Sequence, residues 1–559
     1  MSDLKRRRFV GIGSGLAFTA AAGTGLATAP AARAGTGTAR TARTARAADA
    51  VAVAVTPSDS RYPDLTSGNN LRWKAAPDKV VLPRTTAEVV SAVQEAVTGD
   101  KRLSVCGGGH CFEDFVFNAD IRININMSLM SAVSFDPSMN AFKVGSGATL
   151  LDVYEALYEG WGVTVPGGIC HTVGVGGHIP GGGYGNLSRQ YGLTVDHLHA
   201  VEIVVVDAAG QARAVVAARD SSDARLRDLF WAHTGGGGGS FGVVTAYFFR
   251  TPGATGAAGA LLPKAPSKIF LTLANWPWDK VTEEGFSGLV DYWGTWFEQH
   301  NTAGTTAGSL YSWLMLNHRD SGSLAAVVQL DASLPNAASV LSDFLAGMDQ
   351  ALGLHSATAR HDGVLDSQYT TTRLMPWLRG TRYIGAISPT QLDPTTRGCH
   401  KSAHLRKRTP QRQIDAMYAH LTSDDRPSTM TGIVLSASGG RIASVSPTAT
   451  AVAQRDAIMK VNFESRWYAA ADDAKNTAWI RGAFGAVYGD TGGVPVPNDV
   501  TDGCYINYPD GDLSDPAYNT SSVPWHDLYW KQNYPRLQQV KRDWDPRDVF
   551  RHRQSVRLP

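Results

Sequence analysis

The sequence predicts an α+β protein, and three observations carry that reading. Strand-patterned and helix-patterned segments alternate as far as about Pro252. Strand-patterned segments then dominate from about Lys264 to Val494, and the chain changes character again after Asn498. Alternation followed by clustered strands points to separate sheets with helices packed on them. The totals agree: 43% hydrophobic and 18% charged residues are a globular composition, and 559 residues exceed one simple core. A formal net charge of +2 gives no electrostatic reason to expect a nucleic-acid or acidic-membrane partner.

The elements follow in order. Arg61 to Pro83 is an entry segment ending in the apolar run Val80-Val81-Leu82. Thr86 to Val97 has an N-capping threonine pattern and helical apolar spacing. Arg102 to Val105 reads as a strand and Leu150 to Leu157 as a helix, leading into the strand-like Val163-Thr164-Val165. Val201 to Val206 is an almost unbroken β-branched strand closed by a turn at Asp207 to Gly210, and Ser221 to Phe230 is helical. Farther on, Phe270–Ala274, Leu310–Met315 and Leu324–Leu330 read as strands and Pro335–Leu352 as a helix. Gly432–Ala437, with Gly439 to Ile442, adds a strand-like stretch; Lys401 to Lys407 reads as a strand whose basic residues could face a pocket; and His526–Val540 is helical. The economical arrangement of this second half is a largely antiparallel sheet with helices on one face.

The N-terminus carries an address. Lys5-Arg6-Arg7-Arg8-Phe9-Val10 precedes an apolar run and an Ala32-Arg33-Ala34 cleavage pattern, so residues 1–34 are expected to be a twin-arginine signal peptide and the protein to be secreted by that route. The run is interrupted and too short for a membrane span, so no stable membrane insertion is expected. Residues 35–56, with repeated Thr-Ala-Arg units, form a low-complexity linker. Five cysteines, an odd number with no Cys-x-x-Cys pair, spell neither a disulfide framework nor a zinc knuckle. Whether Cys106 and Cys111 pair locally stays open.

The chemistry concentrates where the glycines do. The chain has 58 of them, clustered between Gly107 and Gly242. Cys106-Gly107-Gly108-Gly109-His110 delivers a histidine, and Gly167-Gly168-Ile169-Cys170 a cysteine, each on a glycine-wrapped loop. Glycines at this density let backbone pass close to a flat or anionic ligand, because no Cβ intervenes. The run after Cys170, His-Thr-Val-Gly-Val-Gly-Gly-His-Ile-Pro-Gly-Gly-Gly-Tyr-Gly, is neither a Rossmann fingerprint nor a Walker A loop. His171 and His178 with Cys170 match metal ligands by residue type, but the glycines match a cofactor cradle better, and no metal is expected. His233 and the five glycines after it could support the same cofactor or form a flexible loop.

Together with Tyr505-Ile506-Asn507-Tyr508-Pro509-Asp510 and the ending Asp-Pro-Arg-Asp-Val-Phe-Arg-His-Arg-Gln-Ser, these motifs resemble, in order from about Tyr62 to Val556, the berberine bridge enzyme-like FAD oxidases. The likeness is greatest to the actinobacterial branch that contains aclacinomycin oxidoreductase and hexose oxidases. The family often has arginine where Cys106 stands. The resemblance implies a two-part FAD-binding domain of the vanillyl-alcohol oxidase type at 57–262 and 496–559, with a substrate domain inserted at 263–495. It implies FAD bonded covalently through His110 at C8α and Cys170 at C6. The cofactor-binding set it suggests adds Gly107, Gly108, Gly109, Val173, Gly174, Gly176, Gly177, His178, Gly181, Gly182, Gly183, Tyr184, Gly185, Gly242, Val243, Tyr505 and Asn507.

An extended Tyr505–Tyr508 would put Tyr505 with Asn507 on one face and Ile506 with Tyr508 on the other, leaving one tyrosine facing the flavin. By resemblance that is Tyr508, the catalytic base, which removes a hydroxyl proton while hydride passes to flavin N5. A phenol titrates near ~10 in water, so this needs a lowered pKa or a nearby cation. The family also associates the third residue after the flavin-linked cysteine, here Val173, with oxygen access and therefore peroxide formation. The implied substrate is an alcohol carbon of a sugar, oligosaccharide or glycosylated natural product. Trp276, Trp278, Trp313 and Trp377 could stack on sugars or fill a core. A dehydrogenase of the same fold with another acceptor, and a non-catalytic carbohydrate-binding flavoprotein, are the alternatives.

Overall fold

The structure, a computed structural model, describes residues 52–387, 393–425 and 427–559. The expected signal peptide and most of the linker lie outside the described residues.

The first sheet holds β1 (Val53–Val55), β2 (Lys79–Leu82), β3 (Leu103–Cys106) and β4 (Ile123–Asn126) in the order β1-β2-β4-β3. Strands β2, β4 and β3 run parallel, and β1 adds antiparallel at the edge. The helix Thr86–Thr98 crosses between β2 and β3, as a parallel connection requires. Its cap is the one the sequence pattern predicts: the Thr85 hydroxyl accepts from the Glu88 amide at 3.2 Å. Val89, Val93 and Ala96 on its inner face pack with Ile123 and Ile125.

The second sheet is antiparallel throughout: β5 (Val133–Asp136), β6 (Ala141–Gly145), β7 (Leu198–Val206), β8 (Ala212–Ala218) and β9 (Val243–Phe249), in the order β5-β6-β9-β7-β8. Helix Leu150–Trp161 enters through a capping box between Thr149 and Asp152 and ends on Gly162, whose φ of 67° is left-handed. Val163–Val165, expected as a strand, makes a single bridge to Lys264, because it has no neighbouring strand to extend against.

The third sheet has seven antiparallel strands: β10 (Lys268–Pro277), β11 (Tyr311–Asn317), β12 (Ser323–Asp331), β15 (Thr370–Pro376), β16 (Arg397–Leu405), β17 (Met430–Ala437) and β18 (Met459–Trp467). A small hairpin of β13 (Thr358–His361) and β14 (Val364–Ser367) stands apart, and the order across the sheet is β15-β10-β12-β11-β17-β18-β16. One face is covered by helices: Trp293 of Glu283–Gln299 donates to Ser312 at 3.1 Å, and Phe484 of Asp473–Val487 meets Phe463 edge-on at 5.2 Å. That leaves the other face for the glycine-rich loops.

Two further expected elements differ. Gly439 to Ile442 is not strand: Gly439 and Gly440 take left-handed φ of 81° and 56° and start a 3-10 turn. The helix expected at His526–Val540 is two helices, Trp525–Trp530 and Tyr534–Trp544, broken at Lys531, where φ is 47°. The second helix starts with a proline in its first turn and docks on Ala224–Ala232, with Arg536 paired to Asp228 at 2.6 Å and stacked over Trp231 at 4.0 Å. Its last turn carries a fully buried ion pair: Lys541 Nζ reaches Asp545 at 2.6 Å and donates to the carbonyls of Ser240 at 2.9 Å and Phe550 at 2.6 Å. One ammonium therefore ties the C-terminal tail to the end of the glycine run 235–239. Lys541→Met, which leaves the Asp545 carboxylate buried and unpaired, is expected to lower stability by about 3–5 kcal/mol, read as a shift in the denaturant midpoint.

Candidate active site

Two loops meet first. β3 ends at Cys106 and releases the loop with His110; the segment after helix Leu150–Trp161 delivers Cys170. A methyl group added at Gly108 would lie 2.3 Å from the Gly174 nitrogen and 2.4 Å from the Thr172 carbonyl oxygen, and one at Gly174 would lie 2.2 Å from the Gly108 nitrogen. Only two glycines allow backbones this close. The His110 ring then reaches across to the Thr172 hydroxyl, with 2.8 Å from Nε2 to Oγ1. Burial, then the Arg466 charge, pushes the imidazole pKa down to about 4, so the ring is neutral near pH 7. Cys106 and Cys111 are both free thiols.

A second pair of elements brings in the tyrosines. After Asp502 the chain runs beside edge strand β16: Asp502 N donates to the His404 carbonyl and His404 N to the Gly503 carbonyl, both at 2.8 Å, and Tyr505 N donates to Ser402 Oγ at 3.0 Å. Tyr505–Tyr508 is then a turn, closed by Tyr508 N to Tyr505 O at 2.9 Å, and not the extended segment expected. The turn overrides strand alternation, so both tyrosines face the cavity, their ring centroids 5.2 Å apart. The Asn507 amide donates to the His178 carbonyl at 2.8 Å and to Tyr505 OH at 3.0 Å, locking the turn onto the glycine run. Behind it, Lys401 grips Asp510 and Asp512 at 2.9 and 2.7 Å.

The third contribution is Lys460 on β18. Its ammonium sits over three aromatic rings, 4.0 Å from Tyr184, 4.5 Å from Tyr505 and 4.3 Å from Tyr508. Burial lowers its pKa to about 7. Burial, with Tyr505 next, raises the Tyr508 phenol well above its ordinary value. Burial thus disfavours the charged form of both groups, and they lie side by side in the cavity.

One continuous cavity is lined by His110, Cys170, Gly107–Gly109, Val173, Gly174, Gly176, Gly177, His178, Tyr184, Gly185, Gly242, Val243, Tyr505, Asn507 and Tyr508. His233 also lines it, its Nδ1 held by the Leu229 carbonyl at 2.7 Å. Gly181, Gly182 and Gly183, expected at the cofactor, do not: a Cβ at Gly181 would strike Asn507 Oδ1 at 2.0 Å, and Gly182 and Gly183 turn the chain at φ 115° and 71° against Val452 and Thr194. Of the four tryptophans only Trp313 lines the cavity; Trp276 and Trp377 are core, and Trp278 stacks on Phe286. Lys401 points away from the cavity, and His400 beside it points in. The residues sequence reasoning missed lie on β18: Lys460, Asn462, Glu464 and Arg466. Their alternation with Val461 and Phe463 was the available signal, for it marks a strand with one polar face.

The cradle fits a flat cofactor with a phosphate tail. At Gly177 nothing stands within 4 Å of an added Cβ, and at Gly107 and Gly238 the nearest atoms are 3.8 and 3.7 Å away, so side chains there would occupy the cavity itself. Comparison with known proteins agrees. The family described as FAD binding domain matches residues 77–214, and the one described as berberine and berberine like matches 504–557. The aclacinomycin-N/aclacinomycin-A oxidase of Streptomyces galilaeus is 46% identical over 92% of this chain and 91% of its own. The chain belongs to the berberine bridge enzyme-like FAD-linked oxidases. The hexose oxidase of Chondrus crispus is 31% identical over 89% of this chain and 93% of that protein. Among solved structures, a glycopeptide hexose oxidase complexed with teicoplanin superposes with a TM-score of 0.84 at 43% identity, covering 91% of this chain and 99% of that one. The fold is the α+β fold of the vanillyl-alcohol oxidase type, and the cofactor is FAD.

Gly174→Ala forces the two loops apart by the contacts given above. It is expected to yield folded protein with clearly less FAD per chain, read as the ratio of flavin to protein absorbance.

Proposed function

We propose that the protein oxidises an alcohol carbon of a sugar, an oligosaccharide or a glycosylated natural product, with oxygen as the final acceptor and hydrogen peroxide as by-product. The observation that carries the reading is the pairing of Tyr508 with Lys460 in the same cavity as His110 and Cys170. FAD, when bound, supplies the two-electron acceptor for the hydride that leaves the carbon. His110 and Cys170 would hold it, each by a covalent bond, from two loops that the Gly108–Gly174 contact keeps together. Val173, at the position the family associates with oxygen access, lines the same cavity. The N-terminal arginine pair directs export of the folded, loaded protein.

The work of the chain itself is proton transfer and positioning. The substrate hydroxyl gives its proton to Tyr508 Oη, and Lys460 sets the pH at which that is possible. In this reading Tyr508 and Lys460 share a proton as a pair. With both protonated the pair can accept nothing; once it has lost one proton, it holds either a phenolate beside an ammonium or a phenol beside an amine. The first of these forms is a ready acceptor. Because Lys460 releases its proton at about 7, the accepting form populates as pH rises through that value. The tyrosine triad keeps bulk water from the ammonium, which strengthens its field at the phenol.

Two outcomes follow. Tyr508→Phe is expected to retain FAD but to slow anaerobic bleaching of the flavin by substrate by about 10²–10⁴-fold. In the unsubstituted protein the bleaching rate should rise with pH through about 7. In Lys460→Met that limb should move up to the phenol's own range, near ~10 or above. A flat profile in both proteins would sink the pair as proton acceptor.

A further inference from the structure

His171 follows Cys170 in the chain, but its side chain leaves the cavity. Cys170 is among the lining residues and His171 is not. The imidazole is buried, with Nε2 3.2 Å from the carbonyl oxygen of Thr381. A carbonyl only accepts, so Nε2 carries the proton and donates. Thr381 belongs to the helix Trp377–Ala386, which continues directly from edge strand β15 of the seven-stranded sheet. The glycine-rich loop and the sheet therefore meet at a side chain next to the thiol.

The helix is shaped for this contact. Trp377, Thr381 and Gly385 follow at four-residue spacing, so they form one stripe, and all three are buried. Trp377 packs on Tyr154 and Tyr158, with ring centroids 5.9 and 5.4 Å apart, which docks the stripe on helix Leu150–Trp161. At the far end, a Cβ on Gly385 would lie 1.9 Å from His171 Nε2 and 2.1 Å from its Cδ2. Glycine weakens a helix relative to alanine, and here the imidazole takes the room of the missing methyl group. Arg382, beside the stripe, adds exposed pairs to Glu155 at 2.7 Å and Glu159 at 3.0 Å.

Backbone bonds hold the segment on either side of the thiol. Upstream, the Gly168 amide donates to His178 Nε2 at 3.1 Å, and the Gly168 carbonyl accepts from Tyr154 OH at 2.5 Å. Downstream, the Val173 carbonyl accepts from Leu150 N at 2.9 Å. Between these points the His171 carbonyl accepts from Leu151 N at 3.3 Å, longer than a usual N–H···O bond. The imidazole adds a side-chain anchor where the backbone bond is longest, one residue from Cys170.

We propose that His171 is a positioning residue for the second flavin bond. Seated between Thr381 and Gly385, it fixes the Cys170 turn so that the thiol addresses flavin C6, while the bond at His110 does not depend on it. The inference rests on the bicovalent reading above and goes beyond it. Attachment at Cys170 joins Sγ to C6 and breaks the S–H and C6–H bonds. Both protons leave, two electrons stay on the ring, and oxygen takes them up with two protons as hydrogen peroxide. Such a step is sensitive to placement, for a shift of ~1 Å can slow a reaction about 10²-fold. His171 touches none of the reacting atoms and acts through the backbone of its neighbour.

The test is flavin-peptide mapping of the acid-denatured holoprotein, which counts chains bonded at both His110 and Cys170 against chains bonded at His110 alone. His171→Leu removes the donor and Gly385→Ala crowds the ring. In each the doubly bonded fraction is expected to fall at least about tenfold, while flavin on His110 stays at the level of the unsubstituted protein. His171→Gln, whose amide keeps a donor for the Thr381 carbonyl, should restore most of that fraction. Arg382→Ala, which removes only exposed pairs, should leave it unchanged. An undiminished doubly bonded fraction in both His171→Leu and Gly385→Ala overturns the inference. So does a parallel loss of both bonds in these variants, the mark of a fold-wide defect, or an equal fall in Arg382→Ala. The bicovalent reading survives each of these three results. Absence of flavin from Cys170 in the unsubstituted protein contradicts that reading itself and takes the inference with it.

Discussion

The architecture depends on one close approach of backbone to backbone. Gly108 and Gly174 come so near that neither tolerates a methyl group, and from that contact the His110 and Cys170 loops open onto a single cavity. A contact of this kind has no attractive energy of its own to speak of; it is a steric permission that the surrounding structure uses. β3 supplies the first loop at a strand end, and helix Leu150–Trp161 supplies the second through its left-handed stop at Gly162. The tail, pinned by the buried Lys541–Asp545 pair, closes behind the glycine run 235–239. The seven-stranded sheet then lays its uncovered face over the opening.

Charge is handled in that cavity by placement and not by neutralisation. Lys460 has no carboxylate partner among its described contacts; it is held by the faces of three tyrosines, and burial brings its pKa to about 7. By contrast the charges just behind the site are densely paired, Lys401 with Asp510 and Asp512, and Arg481 with Asp512 at 2.8 Å. Those pairs fix the Tyr508 turn from outside the cavity. Inside it, the Lys460 ammonium is held by ring faces among its described contacts.

Much of this was legible in the sequence, and the reasons are physical. Glycine density marked the loops because only glycine permits such approach, and periodicity located the helix Thr86–Thr98 and the strand Leu198–Val206 within a few residues. The Tyr505–Tyr508 turn was misread because local alternation says nothing of a hydrogen bond that closes a turn against an edge strand. Gly181–Gly183 were assigned to the cofactor when their freedom serves a chain reversal and the seat of Asn507. Lys460, Asn462 and Glu464 escaped because their meaning depends on register across β11, β17 and β18, strands more than a hundred residues apart in part. Single-sequence reading sees which residues are unusual; it does not see which of them meet.

The central claim is that His110 and Cys170 hold one flavin between them. The measurement that bears on it most directly is peptide mass mapping of the acid-denatured, FAD-replete protein. The account predicts protein that stays yellow after denaturation, with a flavin mass joining the peptide that holds His110 to the one that holds Cys170. Flavin released into the supernatant, with both peptides at their unmodified masses, would contradict it.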